Sequence, residues 1–138
     1  MHRDTSLGDY YDGVWRHVCV SWRNSDGSWR VFVDGAVINC GNDFQKGHVI
    51  KTGGVLLVGQ EQDKAFGDPS GFSFSQSFMG SISGMNVWNK ALNQDKILRM
   101  SKTCDEQVGN VLRWPDFQIA LHGDVIVESP SSCKVPYA

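Results

Sequence analysis

The sequence predicts an all-β sandwich with one short helix. Two segments joined by an Asp-Gly turn alternate apolar and polar residues with period two, as half-buried strands do. Further short apolar runs recur between Gly, Pro and Asp punctuation at strand-like spacing. Only one stretch combines helical spacing with a capping residue in front of it. The 138 residues, 41% hydrophobic and 20% charged, match one domain with a real core.

Residues 15–34, "WRHVCVSWRNSDGSWRVFVD", read as a β-hairpin: Val18, Val20 and Trp22 alternate on one arm, and Trp29, Val31 and Val33 on the other. The intervening "NSDGS" holds the Asp-Gly signal of a tight reversal, and a second Asp-Gly at 34–35 leads into "AVINC". "GGVLLVG", 53–59, is a continuous apolar run between glycines, the pattern of a strand buried on both faces. "SISGMNVWNKAL" supplies another strand, with Ile82, Met85, Val87 and Trp88 as its apolar content.

The helix is expected in "LNQDKILRMSKTC". Asn93 can cap its first turn, Asp95 suits the positive end, and Ile97, Leu98 and Met100 form a short apolar face. The last third, "NVLRWPDFQIALHGDVIVE", reads as three short strands broken at Pro115-Asp116 and Gly123-Asp124. Residues 1–14 read as a lead-in and 15–138 as the domain. A sandwich of about seven or eight strands normally has more before such a hairpin, so N-terminal strands are expected to be missing.

A net charge of −2 gives no basic footprint for nucleic acid. No apolar stretch approaches the ~18 residues of a membrane span, and the N-terminus lacks the apolar stretch of an export signal. The four cysteines, at 19, 40, 104 and 133, form no CxxC pair or zinc-type cluster with histidine. His17 lies at the first strand and reads as structural, while His2, His48 and His122 sit near termini or turns. The five tryptophans read as core or turn-packing residues.

The segment "GQEQDKAFGDPSGFSFSQSFMG", 59–80, interrupts this pattern with a polar knot. Glu61 and Asp63 are two apart, so in an extended chain both carboxylates point the same way, with the Gln62 carbonyl between them. A Gly- and Ser-rich loop can return Gln76 beside them. Carboxylate, carbonyl and amide oxygens suit calcium, which takes about 6–8 oxygens in irregular geometry; zinc prefers nitrogen or sulfur. The plain alternative is a solvated acidic turn at a strand end. A glycosidase reading fails because Phe66 stands where an E-x-D-x-x-E strand motif needs its third acid. With no other catalytic constellation present, the chain reads as a non-enzyme.

"HVCVSWRN", 17–24, resembles the pentraxin signature H-x-C-x-[ST]-W-x-[ST]: His17, Cys19, Ser21 and Trp22 match, and Asn24 departs at the last position. "FVDG", "GGVLLVGQEQD", "QSFMGSISGMNVWNKAL" and "GNVLRW" follow in the family's order, so the resemblance runs from about Trp15 to Cys133. The chain resembles the pentraxin modules of long pentraxins and of large mosaic extracellular proteins. The resemblance implies a jelly-roll β-sandwich, lectin- or laminin-G-like, with one helix on one face.

For the knot, the resemblance implies a calcium (Ca2+) site with the Glu61 and Asp63 side chains, the Gln62 carbonyl and Gln76 as ligands. Three departures weaken it. The family's Asp-Asn ligand pair belongs to an N-terminal half this chain lacks, and Ser73 stands where an acid usually precedes the glutamine. Asp68, in a loop longer than usual, is a candidate substitute.

Cys104 and Cys133 resemble the C-terminal disulfide of the long-pentraxin type, a bond of about 3–4 kcal/mol in the loop-entropy model that fits an extracellular home. The family partner of Cys19 is absent and Cys40 has no counterpart, so their pairing stays open. The function implied is calcium-dependent recognition of anionic ligands, such as phosphate-bearing headgroups or glycans, or of extracellular proteins. Oligomerisation stays open, since some members form pentameric rings. The competing reading is a structural or adhesive module with a degenerate calcium site.

Overall fold

The computed structural model describes residues 12–60, 74–104 and 108–133. The chain divides into two compact units, Met1–His48 with Ser83–Ala138, and Val49–Ile82.

The first unit is built on a three-stranded antiparallel sheet of order β1-β2-β3, where β1 is Val18–Trp22, β2 is Trp29–Val33 and β3 is Ala36–Gly41. The expected hairpin forms, with Val18 opposite Val33 and Trp22 opposite Trp29. Its loop is closed by the Arg23 N–H donating to the Ser28 carbonyl at 2.8 Å. Asp26 accepts the Ser28 N–H at 3.0 Å, the local bond that makes Asp a turn former. Asp34 and Gly35 alone join β2 to β3, at φ 51° and 83°. Positive φ at both positions is the mark of a type I′ turn, whose twist matches that of the strands it joins. A bulge at Val31/Phe32 leaves Ile38 as the extra residue of β3.

Cross-strand partners share a face of a sheet. Cys19, Ser21, Arg30, Phe32 and Cys40 therefore lie on one side, and Val18, Val20, Trp22, Trp29, Val31 and Val33 on the other. Burial concentrates on the central strand: Val31, Phe32 and Val33 are all buried, Phe32 to 1% exposure.

Helix α1, Gln94–Ser101, begins as its sequence requires. Asn93 is extended and its side chain accepts the Lys96 N–H at 2.9 Å, satisfying one of the helix's orphan donors. Ile97 and Met100 are its buried residues. A Cβ built on Gly35 would stand 2.7 Å from Leu98 Cδ1 and 2.8 Å from Ser101 Oγ, so the helix lies directly on the β2–β3 turn. Gly35→Ala adds this collision to the strain of a left-handed backbone. The expected loss is about 1–3 kcal/mol, read as a lower urea midpoint with an unchanged m-value.

The other expected strands take other forms. In 53–59, Val55, Leu56 and Val58 are exposed, and the ladder nearby is a single isolated bridge, Gln60↔Ser77. An apolar run becomes a strand only beside a neighbour that takes its backbone groups. The segment 81–92 likewise pairs through one bridge, Val87↔Leu112. Asparagines hold the rest: Asn86 Oδ1 accepts the Gly109 N–H at 2.9 Å, and Asn110 Oδ1 accepts the Asn89 N–H at 3.0 Å.

Of the two strands expected on either side of Pro115-Asp116, the first keeps only the bridge at Leu112, and the break and the start of the second form a short helix, α2, Trp114–Gln118. Proline is harmless in a first helical turn, where its missing N–H would have no intrahelical partner. Asp116 reaches back to accept the Arg113 N–H at 2.7 Å and pairs with its guanidinium at 3.1 Å. The expected strand in "GDVIVE" pairs with no other strand among the described residues, with Val125, Ile126 and Val127 exposed.

Candidate functional site

The knot belongs to the second unit. Its two ends meet there: Gln60 and Ser77 form the bridge, the Phe78 N–H donates to the Gly59 carbonyl at 2.8 Å, and Gln60 Nε2 donates to Ser77 Oγ at 2.6 Å. Gln76, the next residue inward, closes a 3-10 turn at Phe74–Gln76 and is exposed. Glu61, Gln62 and Asp63, with Asp68 and Ser73, lie outside the described residues. Sequence reasoning missed the Gln60–Ser77 clamp, whose only signal was a polar residue on each flank of the loop.

The donor set itself fits a hard cation. It comprises two carboxylates, a backbone carbonyl and an amide oxygen, with no thiolate or imidazole to favour zinc. Among the described residues, no three His, Cys, Asp or Glu side chains gather as a metal site.

The remaining candidates have structural roles. His17 pairs with Asp34 beside the β1–β2 ladder. Its backbone N–H donates to Asp34 Oδ1 at 2.9 Å, and its carbonyl accepts the Asp34 N–H at 2.8 Å. Burial pushes the His17 pKa down, against the pull of the Asp34 carboxylate. Arg16 bonds both Asp12 at 2.6 Å and Asp34 at 3.1 Å, and the hydrogen bond from Arg16 is the main cause holding the Asp12 pKa low. Trp22 and Trp88 anchor neighbouring loops, donating to the Phe44 and Val108 carbonyls at 2.8 and 3.2 Å.

Cys104 and Cys133 form a disulfide with a Cα–Cα distance of 6.1 Å, inside the usual range for such a bond. Cys19 and Cys40 are free thiols on β1 and β3, with β2 between them. Two strand spacings put outer strands about 9–10 Å apart, beyond disulfide reach. Burial raises the Cys19 pKa, which disfavours the reactive thiolate.

The profile of the pentaxin family matches residues 5–129. Over 129 residues the chain is 40% identical to sushi, von Willebrand factor type A, EGF and pentraxin domain-containing protein 1 of Rattus norvegicus, covering 92% of this chain and 4% of that protein. It is 37% identical over 123 residues to neuronal pentraxin-2 of Homo sapiens, covering 89% of this chain and 28% of that protein. A native heptameric SAP-like pentraxin from Limulus polyphemus superimposes with a TM-score of 0.65 at 36% identity, over 74% of this chain and 46% of that one.

The chain belongs to the pentaxin family, also spelled pentraxin. Its fold class is the all-β jelly roll that the signature at His17–Trp22 implied. It spans less than a third of the length of the curated relatives described here.

Proposed function

We propose that the chain is a calcium-dependent recognition module of an extracellular protein, engaging anionic ligands through a metal held by the 61–76 loop. Glu61 and Asp63 would supply carboxylate ligands, Gln62 its carbonyl and Gln76 its amide oxygen. The supporting observation is the clamp at the base of the loop: Gln60 and Ser77 are bonded, and they are the immediate sequence neighbours of Glu61 and Gln76. A bound divalent ion with open positions supplies an electrophilic point for phosphate or carboxylate oxygens. The Cys104–Cys133 bond supports the extracellular assignment, because disulfides persist outside the cytosol.

A structural module with a degenerate site is the competing reading, favoured by Ser73 in place of an acid. Co-sedimentation with phosphate-headgroup vesicles separates the two. In about 1 mM calcium, near the affinity of extracellular-type sites, the chain is expected to pellet with vesicles and to be released by chelator. Glu61→Ala should remain in the supernatant while unfolding like the parent chain in chelator. Equal sedimentation with and without calcium would favour the structural module.

A further inference from the structure

The first unit carries a polar cleft of about 210 Å³, lined by Ser21, Arg23, Asp26, Ser28, Arg30 and Asn42, with Ala91 and Leu92 as its apolar wall. The sheet register explains why these side chains converge. Arg30 sits at the centre of the sheet face that also carries Ser21 on β1 and Cys40 on β3. Arg23 lies two residues beyond Ser21 on the same side and is bonded through its backbone to Ser28. Asn42 follows β3, and Ala91 and Leu92 precede α1. The β1–β2 loop therefore brings two guanidinium groups to one small depression.

Their charges are poorly matched within the cleft. Asp26 is its one carboxylate, and it already accepts the Ser28 N–H at 3.0 Å, the first cause of its lowered pKa. Its contact with Arg23 is long, 3.5 Å, between side chains that are 61% and 50% exposed, a pair that contributes little. The Arg30 guanidinium has no ion-pair or hydrogen-bond partner among the described residues. Two arginines against one engaged carboxylate leave a net positive hollow, with two hydroxyls and an amide as neutral donors.

We infer that this cleft binds a single tetrahedral oxyanion, a sulfate or phosphate monoester, without calcium. Guanidinium is the cation suited to this, since its planar fork places two N–H groups on two oxygens of one anion. The volume limits the ligand. It is below the ~300–1,000 Å³ of sites that enclose a drug-sized molecule, so one anionic group enters and the remainder of its carrier stays outside. Ala91 and Leu92 line one side with apolar surface, which leaves the anion to the polar groups opposite.

The test is a backbone-amide NMR titration of the whole chain in chelator, which keeps it independent of the calcium loop. Sodium sulfate and sodium phosphate form two arms, with sodium chloride at matched ionic strength as the reference. Saturable shifts at residues 21–30 and Asn42 are expected with sulfate, phosphate or both, and the stronger arm identifies the ester. Arg30→Gln should weaken binding by about fivefold or more, and Arg30→Lys should weaken it less, because charge survives but the fork is lost. Arg99→Gln, on exposed helix surface outside the cleft, should bind as the parent does. Shifts equal to those with chloride, or undiminished in a folded Arg30→Gln chain, would overturn the inference.

Discussion

Replacing Phe32 with alanine is expected to reduce the unfolding free energy by about 3–5 kcal/mol. Phe32 is 1% exposed, in the middle of the central strand, opposite Cys19 on β1 and Val37 on β3. Truncating the ring removes its transfer free energy and leaves a cavity that two paired neighbours cannot close without breaking their ladder. Single domains have total stabilities of about 5–15 kcal/mol, so this loss approaches unfolding. Phe32→Leu keeps most of the apolar volume and should cost about 1–2 kcal/mol. Val20→Ala is the contrast, because Val20 is 68% exposed on the outer strand and should lose well under 1 kcal/mol in the same urea titration. Equal losses at the two positions would show that β2 is not the centre of the core.

Cys104→Ser should cost about 3–4 kcal/mol, from the loop that the disulfide closes over a separation of 29 residues. The surroundings make this bond matter more than its entropy alone suggests. Residues 121–132 are exposed throughout, and the hydrogen bonds described there include Val125 N–H to the Gly123 carbonyl, the Ser83–Ser131 hydroxyl pair and Cys133 N–H to Ser131 Oγ. The disulfide ties the segment just after α1 covalently to this exposed C-terminal stretch. Faster amide exchange across 121–132 should accompany the lower midpoint, and reductant should reproduce both in the parent chain. Cys40→Ser, at an exposed free thiol, should change neither. A midpoint insensitive to reductant would contradict the role given to the bond.

Legibility in the sequence followed the range of the interactions involved. The hairpin at Val18–Val33, the Asp34-Gly35 reversal and the Asn93-capped helix were readable because each is decided within a few residues. Val55, Leu56 and Val58 read as a buried strand, yet periodicity cannot supply the neighbour that a strand needs. Trp114–Gln118 was misread for a different reason. Pro115 and Asp116 are turn signals and helix-start signals at once, and the reciprocal bond from Asp116 to Arg113 decides between them. Cys104–Cys133 came from resemblance, since spacing alone permits every pairing of four cysteines. In the candidate site the oxygen chemistry of Glu61, Asp63 and Gln76 was legible, while the Gln60–Ser77 clamp depended on a long-range pairing that the sequence does not encode locally.

The most direct measurement is isothermal titration of calcium into the chain, beside Glu61→Ala and with magnesium as the control ion. A calcium site in the 61–76 loop predicts saturable binding with a dissociation constant of about 10⁻⁴–10⁻³ M, lost in Glu61→Ala and weak or absent with magnesium, which demands a tighter octahedron. No saturable heat up to roughly ten times that range, from a chain that unfolds cooperatively, would contradict it and leave a folded pentraxin module whose recognition does not pass through calcium.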